Sequence, residues 1–477
     1  MNMKKTLAVV LALLMVLAFT ACSGNSTPSS ADSSTPSSDA SADASSDASA
    51  DASSDAANGS KKNVTIIYNS SFGDQSQCDA EGLWPDYEVE WISSAENDQD
   101  SKILLEMVSG SKSFDLTCTQ ASGAKQYGSM GLLEPLEPLD DWDDIFEGNK
   151  SQHSIGDTIY GYPMVGDAYV LMYNTELFEK AGLKEPPKTF EEFRKYAELL
   201  TIDANGKNAT EDGFDKTNVV QWGTSYLGGT GNGNCWEFCC LAYSNGGHFI
   251  TKDYTNMTYE VTCDAEPMIK SMQYLLDLYN DGLMPTGTIS YDYDEYKESF
   301  YNESVAMTLQ WPGHFGQAAG TAAEGKLACA AIPTGDAGIG SGPMGGWSVN
   351  VFKDAPHKED ALAWAKIYAS PAGVDAFEKA SGTEHMVPRS SFFEKRIKAA
   401  EDAGDAATVN YLKAVEASAE VCQETDIAQT DACASDTQEI ASRYINKILN
   451  GEYSPEDGMK AMKTELETAL SDGGYMQ

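Results

Sequence analysis

Two rhythms of apolar and polar positions run along this chain. Residues 64–68 (Val-Thr-Ile-Ile-Tyr) are a short apolar run that stops in the polar segment Asn69-Ser-Ser-Phe-Gly73, as a strand stops in its outlet loop. Residues 87–92 alternate like a second strand. Ile103, Leu104, Met107 and Val108 are spaced for one helix face, closed by Gly110. Residues 114–118 predict a third strand, with Gln120 to Gly123 as its polar outlet. Strands alternating with helices predict an α/β fold built from parallel units, in which ligands sit at the carboxyl ends of the strands.

The rhythm continues. Extended stretches are predicted at 160–165, 169–173, 304–309 and 347–352, the third broken by Trp311-Pro-Gly313. Helices are predicted from the capping box Thr189-Phe-Glu-Glu192 through Leu200, over 236–243, over 268–279 and over 358–368 with a stop at Pro371. Ser454-Pro455 reads as an N-cap followed by proline at the first helical position, opening the last helix. No internal repeat is present. Lys61 to Gln477 is too long for one core, so at least two lobes are expected.

The start of the chain obeys neither rhythm. Lys4 and Lys5 precede an apolar run from Leu7 to Phe19, then Thr20, Ala21 and Cys22. That order predicts a secretory signal, residues 1–21, cut before a cysteine that carries lipid. Residues 23–60 are almost all Ser, Ala, Asp, Thr, Pro and Gly, so residues 22–60 are expected to be a disordered tether. Its coil reach is about 35 Å. The body would then work on the outer side of the cytoplasmic membrane, held by its lipid alone.

Composition narrows the chemistry. The formal net charge of −41 argues against nucleic acid and anionic lipid as partners. Of ten cysteines, nine follow Cys22, with no CxxC spacing. Cys422 and Cys433 are close enough in sequence to bridge, but the set reads mainly as small buried apolar residues. There is no HExxH, GxSxG or Walker A pattern. Gly340-Ser-Gly-Pro-Met-Gly345 fits GxGxxG only formally, because it holds a proline and precedes an extended stretch. Asp203-Ala-Asn-Gly206 fails as a calcium loop because Lys207 takes a ligand position. Neither a cofactor nor a metal is expected, nor catalysis.

Several segments together resemble a known family: Gly156-Asp-Thr-Ile-Tyr-Gly-Tyr-Pro-Met-Val165, Tyr173-Asn-Thr-Glu-Leu-Phe-Glu-Lys-Ala-Gly-Leu183, Pro187-Lys-Thr-Phe-Glu-Glu-Phe193, Ser244-Asn-Gly-Gly247, Glu303-Ser-Val-Ala-Met307 and Gly345-Gly-Trp347. In order and spacing they resemble the family 1 extracellular solute-binding proteins, the sugar-type receptors of ABC importers. The resemblance implies a two-lobe periplasmic-binding-protein-like fold of type II, with a cleft that closes on a sugar or oligosaccharide and three crossings between lobes. The crossings are expected near Val165, Val305 and Trp347. One lobe would then hold 61–165 and 305–346, the other 166–304 and 347–477. A monomer that meets the permease subunits is implied. A lipid-anchored glycoside-acting enzyme and a non-transport carbohydrate sensor are the competing readings.

A sugar needs flat aromatic surface for its apolar faces and fixed polar groups for its hydroxyl rim. Trp364 has helical core spacing, Trp91 alternates on a strand, and Trp142 reads as a turn anchor. Trp236 follows the glycine-rich segment 227–234, Trp311 stands at a strand end, and Trp347 follows a glycine-rich crossing, so these three are the candidate stacking surfaces. His314 or Phe315 could replace Trp311. Asp167, beside Tyr169 at the first crossing, is the candidate hydroxyl acceptor. Ser70, Ser71, Gln120 and Ser122 end strands of the first lobe. Some maltose-type relatives carry aromatic and acidic residues at such places. Arg389 could bind a ligand carboxylate or tie the C-terminal segment to a lobe.

Overall fold

The computed structural model describes residues 61–94, 96–231, 233–253, 258–381, 386–427 and 433–476. The signal, Cys22 and the tether lie outside these residues. The strands that matter here are β1 (Lys62–Asn69), β2 (Tyr87–Ser94), β3 (Leu116–Gln120), β4 (Tyr162–Val165), β5 (Val170–Asn174), β6 (Ile202–Asp203), β7 (Val219–Thr224), β8 (Val305–Gln310), β9 (Leu327–Ala330) and β10 (Trp347–Val351). They form two five-stranded sheets, ordered β2-β1-β3-β10-β4 and β9-β5-β8-β7-β6. β1 runs parallel to β2 and β3, while β10 enters antiparallel between β3 and β4. β8 is antiparallel to β5 and parallel to β7.

Each sheet is the centre of a lobe because both of its faces are covered. In β8 all six residues are buried, as expected of a central strand. The first lobe packs Ile66, Leu116, Met164 and Val349 against the helix Lys358–Tyr368, where Trp364 lies fully buried, its centroid 4.7 Å from Tyr368. Trp364 is therefore core, as its spacing predicts. The second sheet is covered by Phe193, Phe238, Met272 and Leu466 on one side, and by Phe300, Phe393 and Val415 on the other. All nine cysteines of the body are buried thiols.

Local signals hold with small differences. Thr189 caps Glu192 N at 3.1 Å, but the Glu192 carboxylate accepts from Lys188 N at 2.7 Å rather than from the cap residue, so the box is half made. Pro371 stops one helix and opens the next, Pro371–Ser381. Ser454 accepts from Asp457 N at 3.1 Å with Pro455 in the first turn, as predicted.

Two of the three expected crossings are found, and the third is elsewhere. The chain leaves the first sheet at Val165 and enters the second at Val170; it returns through Gly345 and Gly346 to Trp347. Val305 is no crossing, because β8 lies between β5 and β7 in the second sheet. The remaining passage is at 386–390, where Val387 packs in the first lobe and Met386 in the second. Sheet membership thus runs opposite to the expected grouping: β8 and β9 belong with β5, and β10 belongs with β1. The reason is pairing. β10 shares five register positions with β3, from Trp347–Gln120 to Val351–Leu116.

All three passages converge on the short helix Glu147–Gln152. Phe146 N donates to Pro388 O at 3.2 Å, and Gln152 Nε2 donates to Met344 O at 3.2 Å. A β-carbon on Gly166 would stand 2.6 Å from Asn149 Nδ2. The passages also bind one another: Gly166 N donates to Met386 O, and Gly345 N to Asp167 O, both at 2.8 Å.

Candidate functional site

The carboxyl ends of β1, β3 and β4, the start of β10 and the end of β8 meet around these passages. Trp347 opens β10 opposite Gln120 and Val165. Its half-buried ring meets Phe72 edge-on, with centroids 4.7 Å apart and planes at 87°. Gly346 just before it has φ +134°, and a β-carbon there would sit 2.3 Å from Val165 O. Only glycine fits that approach.

Trp311 follows β8 and is held by the turn Pro312–His314. Its ring lies 4.2 Å from Tyr169 and 5.7 Å from Trp236, and its Nε1 donates to Tyr293 Oη at 3.3 Å. Tyr169 is buried, and lost hydration holds its phenol well above the usual range. It is a support under Trp311 rather than an open surface. Trp236 is half-buried, with Nε1 donating to Gln438 Oε1 at 3.1 Å. The glycine-rich segment before it packs because it lacks side chains: Gly228 N donates to Thr288 O and Gly229 N to Tyr291 O, both at 3.0 Å.

Asp167 is half-buried on the first passage. Its carboxylate has no hydrogen-bond partner among the described residues, and desolvation pushes it up to about 6. Of the other expected residues, Ser70 and Gln120 are exposed at the ends of β1 and β3. Ser71 lies in the turn Ser70–Phe72 and Ser122 in the helix Ala121–Ser129; their side chains are outside the described part. Arg389 is buried. Its Nε donates to Asp141 Oδ2 and its Nη2 to Ala369 O, each at 2.7 Å, the tying role of the two weighed for it. Phe315 stacks on Tyr411 at 4.8 Å and is packing. His314 meets the Tyr293 ring edge-on, its Nδ1 is 2.7 Å from Gln310 Oε1, and burial lowers its pKa to about 4.

Sequence reasoning missed Tyr293, Phe72 and Glu237. Asp292 and Glu295 form a complete capping box, a readable signal that sets Tyr293 in the first turn of the helix Tyr293–Tyr301, from which it meets Trp311. Glu237, next to Trp236, is buried, and desolvation pushes its carboxyl up to about 8. No group of three or more His, Cys, Asp or Glu suited to a metal is found among the described residues, and no helix there is long and apolar enough to cross a membrane.

The arrangement is a set of aromatic faces and one carboxylate at the junction of two lobes. Residues 72–375 match the family model for bacterial extracellular solute-binding proteins. A binding protein of Brucella abortus is 26% identical over 261 residues, which is 53% of this chain and 58% of that protein. The chain therefore spans little more than half the length of that relative. The same fold is found in an ABC transporter solute-binding protein from Thermotoga lettingae bound with α-D-tagatose, at 22% identity and TM-score 0.62, covering 86% of this chain and 100% of that one. It is found also in the sugar-binding protein MalE of Xanthomonas citri, at 17% identity and TM-score 0.69, covering 86% and 97%. These are type II two-lobe binding proteins rather than enzymes, and with the family model matching well over half of its residues, this chain belongs to the bacterial extracellular solute-binding proteins.

Proposed function

We propose that this protein captures a sugar or oligosaccharide in the cleft between its lobes and delivers it to the permease subunits of an ABC importer. One observation carries the reading: at the lobe junction Trp311 and Asp167 meet on either side of Gly345, and Trp347 opens β10 opposite Val165, each indole buttressed by other rings. Indole faces suit the apolar faces of a pyranose, and a carboxylate accepts from hydroxyls. The tagatose bound by the Thermotoga lettingae protein supports the same ligand class. The chain is held outside the cytoplasmic membrane by lipid on Cys22, with residues 23–60 as the tether; the signal-like start of the sequence supports this part.

The test is a thermal-shift screen of the mature chain against hexoses, pentoses, polyols and malto-oligosaccharides, followed by calorimetry on each hit. At least one sugar should raise the melting temperature and be recovered unchanged. A panel without a hit, or a hit that is hydrolysed, overturns the reading.

A further inference from the structure

The cleft is unbalanced in charge. Asp167 carries an unpartnered carboxylate on the first passage. The basic groups on the segments that build the site each stand beside a carboxylate of their own. Lys125, on the helix that follows β3, is ion-paired with Glu424. Arg389, on the 386–390 passage, is paired with Asp141 at 2.7 Å. Lys297, on the helix that supplies Tyr293, pairs with Asp294 at 3.2 Å, and Lys150, on the helix Glu147–Gln152, pairs with Glu147 at 3.5 Å. His314 is held neutral by burial. Trp311, Trp347 and Tyr293 add aromatic surface, and ring faces are negative.

We propose that Asp167 sets the charge class of the ligand: uncharged and amine-bearing sugars enter the cleft, and sugars carrying a carboxylate or phosphate are refused. This rests on the sugar reading above and sharpens it. The physical ground is that an anionic ligand would bring a second negative charge beside a half-desolvated carboxylate with no cation between them. Like charges in a low-dielectric site repel strongly. An amine in the same place is attracted by the carboxylate and by the indole and phenol faces of Trp311 and Tyr293.

The experiment is calorimetry on wild type with three matched series: glucose, glucosamine, glucuronate and glucose 6-phosphate, and the galacto and manno counterparts. Within a series that binds, the uronate and the phosphate should be weaker than the neutral sugar by about tenfold or more. The amine should bind at least as tightly as the neutral sugar. Asp167→Asn, nearly isosteric, should narrow the gap from the uronate side, with melting temperature matched to wild type. A uronate or phosphate that binds as tightly as its neutral parent overturns the charge filter and leaves the sugar reading standing. So does a gap that Asp167→Asn leaves unchanged. If none of the series binds but neutral oligosaccharides do, acidic and amine-bearing oligosaccharides give the same comparison. Binding of no sugar at all overturns both.

Discussion

Gly345 lies against the indole of Trp311: a β-carbon there would stand 3.0 Å from ring atom Cη2 and 3.5 Å from Cβ of Asp167. The second passage, the end of β8 and the first passage therefore meet at one point, and Trp311 reports on it. Removing a ring from the centre of a binding site commonly costs more than ~1–2 kcal/mol, or about tenfold or more in affinity. Trp311→Ala and Trp347→Ala should each weaken sugar binding by that much in calorimetry, at matched melting temperature. If both bind like wild type, the cleft is misplaced.

The passages between the lobes give a second prediction. In Gly166→Ala the new methyl would come within 2.6 Å of Asn149 Nδ2 and 2.7 Å of Pro388 Cβ, so two of the three passages must shift. Overpacking of this kind costs about 1–3 kcal/mol. Asn149 Nδ2 has no acceptor among the described residues, so Asn149→Ala should itself cost little. The double variant should recover part of the lost stability, because the two changes share one space. Additive losses in thermal denaturation would show that the passages do not meet at this helix.

Asp167 makes a prediction in pH. With its carboxyl pushed up to about 6, the ionised acceptor prevails at pH 7 and the protonated form at pH 5. Affinity for a neutral sugar should fall by about tenfold between those values, following the ionised fraction. In the unliganded protein the sign is opposite. A raised carboxyl contributes stability below its ordinary pKa and loses it as pH rises to about 6. Asp167→Asn should flatten both dependences; a binding profile that stays steep in that variant assigns the titration to another group.

Much of this was legible in the chain because it is local. Alternation marked β2, a buried apolar run marked β1, and Ser454-Pro455 marked the last helix. The glycines at 345 and 346 marked a true passage. The lobe grouping was not legible. Val305 and Trp347 both open apolar strands after a break in the pattern, and only long-range pairing decides which sheet each one joins. β10 goes to the first sheet because it registers against β3, more than two hundred residues earlier. The site was half legible for the same reason. Trp311 and Asp167 stand at visible breaks, whereas Phe72 becomes relevant only because β1 and β10 lie in one sheet. Arg389 showed two possible roles until Asp141 was found beside it.

The anchor is tested separately. Cys22→Ser should release the mature body from membranes into the soluble fraction, because two acyl chains gain roughly 0.8 kcal/mol per buried CH₂ and the proposed tether holds no apolar side chain larger than Ala or Pro. Retention of the variant on salt-washed membranes would remove the lipid from the account.

Glu237 supplies the last prediction. Its Oε2 accepts from Leu227 N at 2.8 Å, and its Oε1 lies 2.9 Å from Tyr296 Oη. That hydroxyl is also 2.7 Å from Leu309 O, a carbonyl that can only accept. Tyr296 has one proton, so when it goes to Leu309 the carboxyl must donate to Tyr296, and the protonated acid fits the geometry. Desolvation agrees, since it pushes this carboxyl up to about 8. The unfolded chain releases the proton near the ordinary value, so wild type loses stability as pH rises from about 4.5 to about 8. Glu237→Gln keeps both bonds, with its amide donating to Tyr296, and has no proton to lose. The variant should melt close to wild type at pH 5 and increasingly above it toward pH 8, with sugar affinity unchanged at the lower pH. A constant offset across that range would mean that Glu237 is ionised in the folded protein and that Tyr296 gives its proton to the carboxylate instead.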